Sequence, residues 1–240
     1  EIVTQETYDG DIPKIGGLFD RRMGVLDYGS ICLVDEQKCT LCPGYFGHIE
    51  LARPVFYIHF KTQVLKTLRC ICFRCSKLLI DPESPGYKKS LSNLKGINRF
   101  QKIYTFCSKV KRCGTHNSDG CGAIQPTKYS KDSINNIDAE WKDAVAGLDK
   151  KVNKQRMRPV DILKIFKRIT DEDCEAMGYN NYWCKPEWLI CTVLPVAPPT
   201  VRPSVKQDNN QRMEDDLTHK YCDIIKTNRS LKQKIENNAP

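Results

Sequence analysis

The sequence predicts a mixed α+β fold, with several helices and short strands held together by bound zinc. Three observations predict it. Cysteines fall in two groups: Cys32, Cys39 and Cys42, then Cys72 and Cys75 answered by Cys113 and Cys121. Thiolate pairs two residues apart, with a second pair further along, enclose tetrahedral zinc without needing a large apolar core. Apolar residues also recur at helical spacing in some segments and as short extended runs in others. Finally, the charge is concentrated around the cysteines.

The chain has 240 residues, enough for one large domain or two modest ones, and is 40% hydrophobic and 28% charged, which excludes wholesale disorder. No run of about 18 apolar residues occurs, so no helix spans a membrane, and there is no secretory h-region. Beginning at Glu1 and stopping at Asn238-Ala239-Pro240, the sequence reads as a fragment of something larger. Its 13 cysteines, without a secretory signal, indicate metal-bound and free thiols in a reducing compartment. From Arg53 to Lys131, sixteen Lys and Arg face only Asp81, Glu83 and Asp119, a net +13 that leaves −4 elsewhere within the total of +9. A block so one-sided suits a phosphate-facing surface, with an acidic neighbouring subunit as the alternative.

In chain order, Asp9-Gly10, Ile12-Pro13 and Gly16-Gly17 mark turns, so residues 1–31 are irregular or short-stranded. Asp35, Glu36 and Gln37 form a polar loop between Cys32 and Cys39. Pro54 opens a helix with Val55, Ile58, Val64, Leu65 and Leu68 on its apolar side, delivering the chain to Cys70-Ile71-Cys72. Leu78-Leu79-Ile80 suits a strand beside a metal knuckle, and 81–86 is a loop. A helix fits 97–109, with Phe100, Ile103, Tyr104 and Cys107 at helical spacing. Residues 128–157 are polar and are expected to be the most mobile part. Pro159 starts a helix through Phe166, Thr170 caps another ending near Gly178, and Trp188 to Val196 is extended. Pro198, Pro199 and Pro203 stiffen the chain before a final helix over 214–236, where Glu214, Asp215 and Asp216 complement the helix dipole. The same acidic run could be taken for a metal pair, but a helix start accounts for it.

Cys72 and Cys75 form one knuckle, and Cys113 and Cys121 supply the second pair across a flexible loop. Together they are a closed four-thiolate site. Cys70 and Cys107 are read as core residues. Cys39-x2-Cys42 forms a second knuckle, with Cys32 as a third thiolate and His48 as the candidate fourth ligand.

Lys14-Ile15-Gly16-Gly17-Leu18, Arg22-Met23-Gly24 and Cys42-Pro43-Gly44-Tyr45-Phe46-Gly47-His48 carry a resemblance, continued by Arg202-Pro203-Ser204 and Glu214-Asp215-Asp216-Leu217-Thr218. These segments resemble the amino-terminal clamp of the largest subunit of multisubunit DNA-directed RNA polymerase, of the eukaryotic polymerase II type or a large-DNA-virus relative. The resemblance covers nearly the whole chain and is weakest over 128–157. It implies a clamp-core segment with the first zinc site (1–50), a basic clamp-head segment with the second (51–131), a variable mobile segment (132–157) and a helical clamp-core segment, truncated at its C-terminus (158–240). It also implies two zinc ions, with magnesium bound elsewhere in the full enzyme. DNA, the DNA–RNA hybrid, the second-largest and small subunits and clamp-docking transcription factors become the expected partners, in the nucleus or, for a viral source, in a viral factory or virion. The Asp-Phe-Asp-Gly-Asp catalytic loop is absent from these 240 residues, so nucleotidyl transfer belongs to the whole subunit. Lys88, Lys89, Lys109, Lys111 and Arg112 are the candidate phosphate contacts, chosen on charge clustering.

One departure from the family pattern matters. Aligned without gaps, Asp35 stands where the family has its second cysteine and Tyr45 where it has its ligand histidine. The site has either shifted to Cys32, Cys39, Cys42 and His48 or lost its metal, and the shifted set is the reading adopted. A zinc deaminase built on His48-Ile49-Glu50 and Cys72-x2-Cys75 is the rival enzyme, disfavoured because Ile71 stands where Pro is required and Cys113 and Cys121 go unused. The other alternative is a freestanding zinc-ribbon nucleic-acid-binding or interaction protein.

Overall fold

A computed structural model describes residues 1–116, 119–131, 133–142, 152–206 and 212–238. The chain forms two compact units, one from Glu1–Arg53 with Thr192–Pro240 and one from Pro54–Cys191. The chain leaves the first unit and returns to it within one strand pair, β3 (Gly47–Phe56) with β7 (Ile190–Val196).

In the discontinuous unit, β1 (Tyr8–Asp9) and β2 (Ile12–Pro13) make a minimal hairpin across the expected Asp9-Gly10 turn. The long helix α6 (Asp216–Glu236) starts where Asp215 Oδ1 accepts from Leu217 N at 2.8 Å. Its Asn228 accepts from Ala52 N and donates to Glu50 O, both at 2.8 Å, seating the helix along β3. Ile2, Leu18, Phe19, Met23, Ile49, Val196 and Ile225 form the core. Arg202 is wholly buried beside it: the guanidinium donates to Leu18 O, to Ala197 O at 2.8 Å and to Thr218 Oγ1 at 3.3 Å.

The contiguous unit is helical with one small sheet. Pro54 does not start a helix. β3 runs through it, and α1 (Lys61–Cys70) begins seven residues later after a short 3-10 turn. Proline is tolerated because a two-stranded sheet leaves each strand an unpaired edge. The expected loop over 81–86 instead gives way at Pro85 to a short helix, α2 (Pro85–Leu91). α3 (Gly96–Cys107) packs on α1 and on α5 (Asp171–Met177). Tyr179 locks this arrangement: its hydroxyl meets Gln63 Nε2 at 2.9 Å and Thr67 Oγ1 at 2.7 Å, while its ring meets Phe100 edge-on. α4 (Pro159–Phe166) starts at its proline, with Asp161 Oδ2 accepting from Arg158 N at 3.1 Å. α5 is capped by Thr170 Oγ1 on Asp173 N at 3.2 Å and ends at Gly178, whose φ of 92° is left-handed.

The segment expected to be mobile carries an antiparallel sheet of β4 (Lys128–Lys131), β5 (Ile137–Lys142) and β6 (Val152–Met157); residues 132 and 143–151 lie outside the described residues. Opposed residues pair charge across it, Glu140 with Lys154 at 3.1 Å and Asp138 with Arg156 at 3.8 Å. Ile137, Ala139 and Met157 are its buried face, and Ile71, Leu78, Ile80, Ile103, Ile162 and Met177 belong to the same core.

Candidate metal centres and basic surface

The four-cysteine group is built on two tight turns. Ile71 bridges Leu78, Cys72 N donates to Lys77 O and Ser76 N to Cys72 O, both at 2.9 Å, with Ser76 left-handed at φ 63°. The answering turn has Arg112 bridging Ile124 and Cys113 N donating to Ala123 O at 2.9 Å. A Cβ on Gly120 would lie 2.2 Å from Gly114 Cα, so only glycine lets the two ends of that loop touch.

The four sulfurs of Cys72, Cys75, Cys113 and Cys121 lie within 4.8 Å of one another. Cys72 Sγ is 3.6 Å from Cys121 Sγ, and Cys75 Sγ is 3.7 Å from Cys113 Sγ. Zinc–sulfur bonds of about 2.3 Å in a tetrahedron require edges of about 3.8 Å, so the donor set fits a closed site. Donors converge on the sulfurs: Gln125 Nε2 on Cys72 Sγ at 3.2 Å, the Arg74 and Cys75 amides on the same atom, and the Ala123 amide on Cys121. Burial, reinforced by Cys72 and Cys75, pushes the Cys113 thiol up to about 12. Burial also opposes ionisation of Cys121, but the Ala123 amide and neighbouring thiols outweigh it and bring Cys121 down to about 7. A metal entering this group therefore displaces protons, and its affinity falls in acid. Asp173 Oδ2 accepts from Leu78 N at 3.3 Å, tying α5 to the knuckle. Cys70 and Cys107 are buried in the core.

At the first group the structure departs from the adopted set. The ligand atoms drawn together are those of Cys32, Asp35 and Cys42, and among the described residues neither Cys39 nor His48 joins either cysteine group. His48 is exposed on β3 beside buried Ile49, so the alternation of the strand turns it the other way. Cys39 packs beside the group without entering it, because Lys38 ends the turn before it and accepts from Cys42 N at 3.0 Å to bring Cys42 back. The knuckle is thus 31–38, not 39–42. Ile31 bridges Lys38, Cys32 N donates to Gln37 O at 3.0 Å, Glu36 N donates to Cys32 O at 3.1 Å, and Glu36 is left-handed at φ 56°. Comparing 31–38 with 71–78 within the sequence would have revealed it.

Asp35 occupies the place of Cys75 in that comparison. Tyr45 Oη donates to Asp35 Oδ2 at 3.1 Å and Gln37 N donates to Oδ1 at 3.1 Å. Burial alone would raise the Asp35 carboxyl, but these bonds and those from Cys32 and Cys42 hold it at about 2. Burial, with Asp35 and Cys32 adding to it, pushes Cys42 up to about 11.

The five candidate phosphate contacts are all exposed. Lys88 and Lys89 lie in the last turn of α2, Lys88 paired with Glu83 at 2.8 Å. Lys109, Lys111 and Arg112 follow α3 and lead directly into Cys113.

A mixed fold with four cysteine sulfurs gathered so that they could hold a metal ion, and cationic side chains on the approach to them, sets the class of protein to be sought. The match to known families is more specific: the chain belongs to the family "RNA polymerase Rpb1, domain 1", whose model matches residues 1–240. It is 38% identical over 242 aligned residues, 98% of this chain, to the DNA-directed RNA polymerase II subunit RPB1 of Euplotoides octocarinatus. The chain spans about half the length of that curated relative. No helix among the described residues is long and apolar enough to cross a membrane.

Proposed function

We propose that this chain is the amino-terminal part of the largest subunit of a nuclear DNA-directed RNA polymerase, and that it forms the clamp closing over DNA and the DNA–RNA hybrid. The observation that carries this is the family match along the entire chain, joined to the net +13 between Arg53 and Lys131. Zinc at Cys72, Cys75, Cys113 and Cys121 gives the basic segment a rigid footing, since a closed four-thiolate site contributes folding free energy and leaves no position for reacting water. Lys109, Lys111 and Arg112 then hold their charges at fixed places beside the knuckle, while Lys88 and Lys89 extend the surface. Contacts to phosphate retain the template without reading its sequence, which suits a processive enzyme. The second-largest and small polymerase subunits and clamp-docking factors complete the assembly, whose magnesium-dependent nucleotidyl transfer lies outside this segment.

The test is DNA-templated RNA synthesis by the full-length protein captured in its complex. Templated transcripts are expected. Lys109→Ala, Lys111→Ala and Arg112→Ala together should shorten them and flatten the log–log salt dependence of DNA retention by about one unit per lost contact. A captured complex without templated synthesis overturns the polymerase assignment. An unchanged salt slope in an active variant overturns the assignment of these contacts.

A further inference from the structure

The chain carries its own internal comparison, two knuckles of one backbone design with different chemistry. Residues 31–38 and 71–78 share the closing bridge, the two amide–carbonyl bonds and the left-handed residue at the sixth position. At the fifth position one has Asp35 and the other Cys75. From this we infer that the first knuckle is a metal-free clasp, in which the Asp35 carboxylate takes the central position that zinc takes in the second.

Three features carry the inference. The donor set is incomplete for a closed structural site: two thiols and one carboxylate, where four donors are required. The Tyr45 hydroxyl, which reaches the group, is committed as a donor to Asp35 Oδ2 at 3.1 Å. The Tyr45 ring packs with Val25 and Cys39 against the buried Cys32 and Cys42, an apolar cover where an open metal site would keep water. Asp35 meanwhile is a bonded acceptor, holding the Gln37 amide on Oδ1 and the Tyr45 hydroxyl on Oδ2, with the Cys32 and Cys42 sulfurs gathered within 4.8 Å of its carboxylate. One anion tied to its own turn and to Tyr45 does what a cation gathering four thiolates does: it draws both halves of the knuckle to a point.

The proposed zinc at the four-cysteine cluster serves as the internal control. Zinc content is measured by elemental mass spectrometry on the intact complex carrying wild-type chain, Asp35→Asn or Cys75→Ser. Asp35→Asn is expected to leave the content unchanged, and Cys75→Ser to remove one zinc per complex. Loss of one zinc in Asp35→Asn overturns the inference. If Cys75→Ser removes none, the zinc reading of the other cluster fails while the Asp35→Asn result still decides this one.

A second measurement uses only the wild-type chain. Alkylation mapped by mass spectrometry should accelerate about tenfold or more at Cys72, Cys75, Cys113 and Cys121 on brief exposure to a chelator, because metal shields thiolates. Cys32 and Cys42 should keep their rates. Acceleration at Cys32 and Cys42 under conditions that leave buried Cys174 unchanged would overturn the clasp.

Discussion

Replacing Arg202 with Met sets two opposed effects against each other. The guanidinium is wholly buried, its partners are Leu18 O, Ala197 O and Thr218 Oγ1, and the rings of Phe19 and Tyr221 lie 5.2 and 5.8 Å from its carbon. Burial lowers its pKa, which shows that desolvation presses against the charge. Methionine removes that penalty and fills much of the volume, and replacing buried charges with apolar residues has stabilised other proteins by about 1–4 kcal/mol. It also strips a donor from three acceptors, at about 1–3 kcal/mol each when left buried and unpaired. The two ring faces already compensate the cation, so little desolvation remains to be recovered and the orphaned acceptors decide the sign. The expected net loss is about 3 kcal/mol, a fall in Tm of roughly 6–12 °C for a chain of this size. Thermal unfolding of the intact protein reads it directly. Arg202→Lys, which keeps the charge but cannot span three partners, should fall between wild type and Met. A Met variant as stable as wild type would refute the reasoning.

Gly178→Ala should cost more than about 2 kcal/mol, a Tm drop of roughly 4–8 °C, because φ is 92° and the new Cβ would sit 2.6 Å from Gly96 O; an unchanged melting curve would count against the left-handed cap. Stripping metal from the four-cysteine cluster, or Cys75→Ser, should abolish cooperative unfolding of residues 54–191, seen as lost near-ultraviolet dichroism, since structural zinc carries about 10 kcal/mol or more of folding free energy. Asp20 is buried; burial would raise its carboxyl, but bonds from Arg22 and the Gly16 amide hold it below the usual range. A depressed folded pKa means stability present above the unfolded value of about 3.9 and lost as pH falls through the lower folded one, so Asp20→Asn should flatten the acid limb of stability below about pH 4. A limb as steep as wild type's would assign the acid sensitivity to other carboxylates.

Helices with both a repeating apolar face and a start signal were legible in the sequence. Pro159, Thr170 and Asp215 each stand at the beginning of a helix, and Gly178 closes one. Pro54 misled because its ring suits a helix's first turn and a strand's free edge equally, and only the partner strand decides. The sheet of β4, β5 and β6 stayed hidden although Ile137, Ala139 and Trp141 alternate with Asp138 and Glu140 along β5, because that alternation is short and sits in a polar stretch whose other strands pair largely through charge. The four-cysteine group was visible as spacing alone. At the first group spacing pointed to Cys39 and His48, whereas the family pattern pointed to the positions of Asp35 and Tyr45, which the fold brings together. A two-residue gap between cysteines is a weaker signal than the backbone turn that a knuckle needs.

The interrupted layout of the Glu1–Arg53 unit sets an order of events during synthesis. Ile2, Leu18, Phe19, Met23 and Ile49 leave the ribosome long before Val196 and Ile225, the residues that complete their core. The unit between them is contiguous and can fold as soon as it emerges. At about 5–20 residues per second, the intervening stretch leaves the first apolar side chains with only one another, and their core incomplete, for roughly 7–30 s. That interval is when the nascent chain most needs a chaperone. Slowing translation within 54–191 would lengthen it without changing a single native contact.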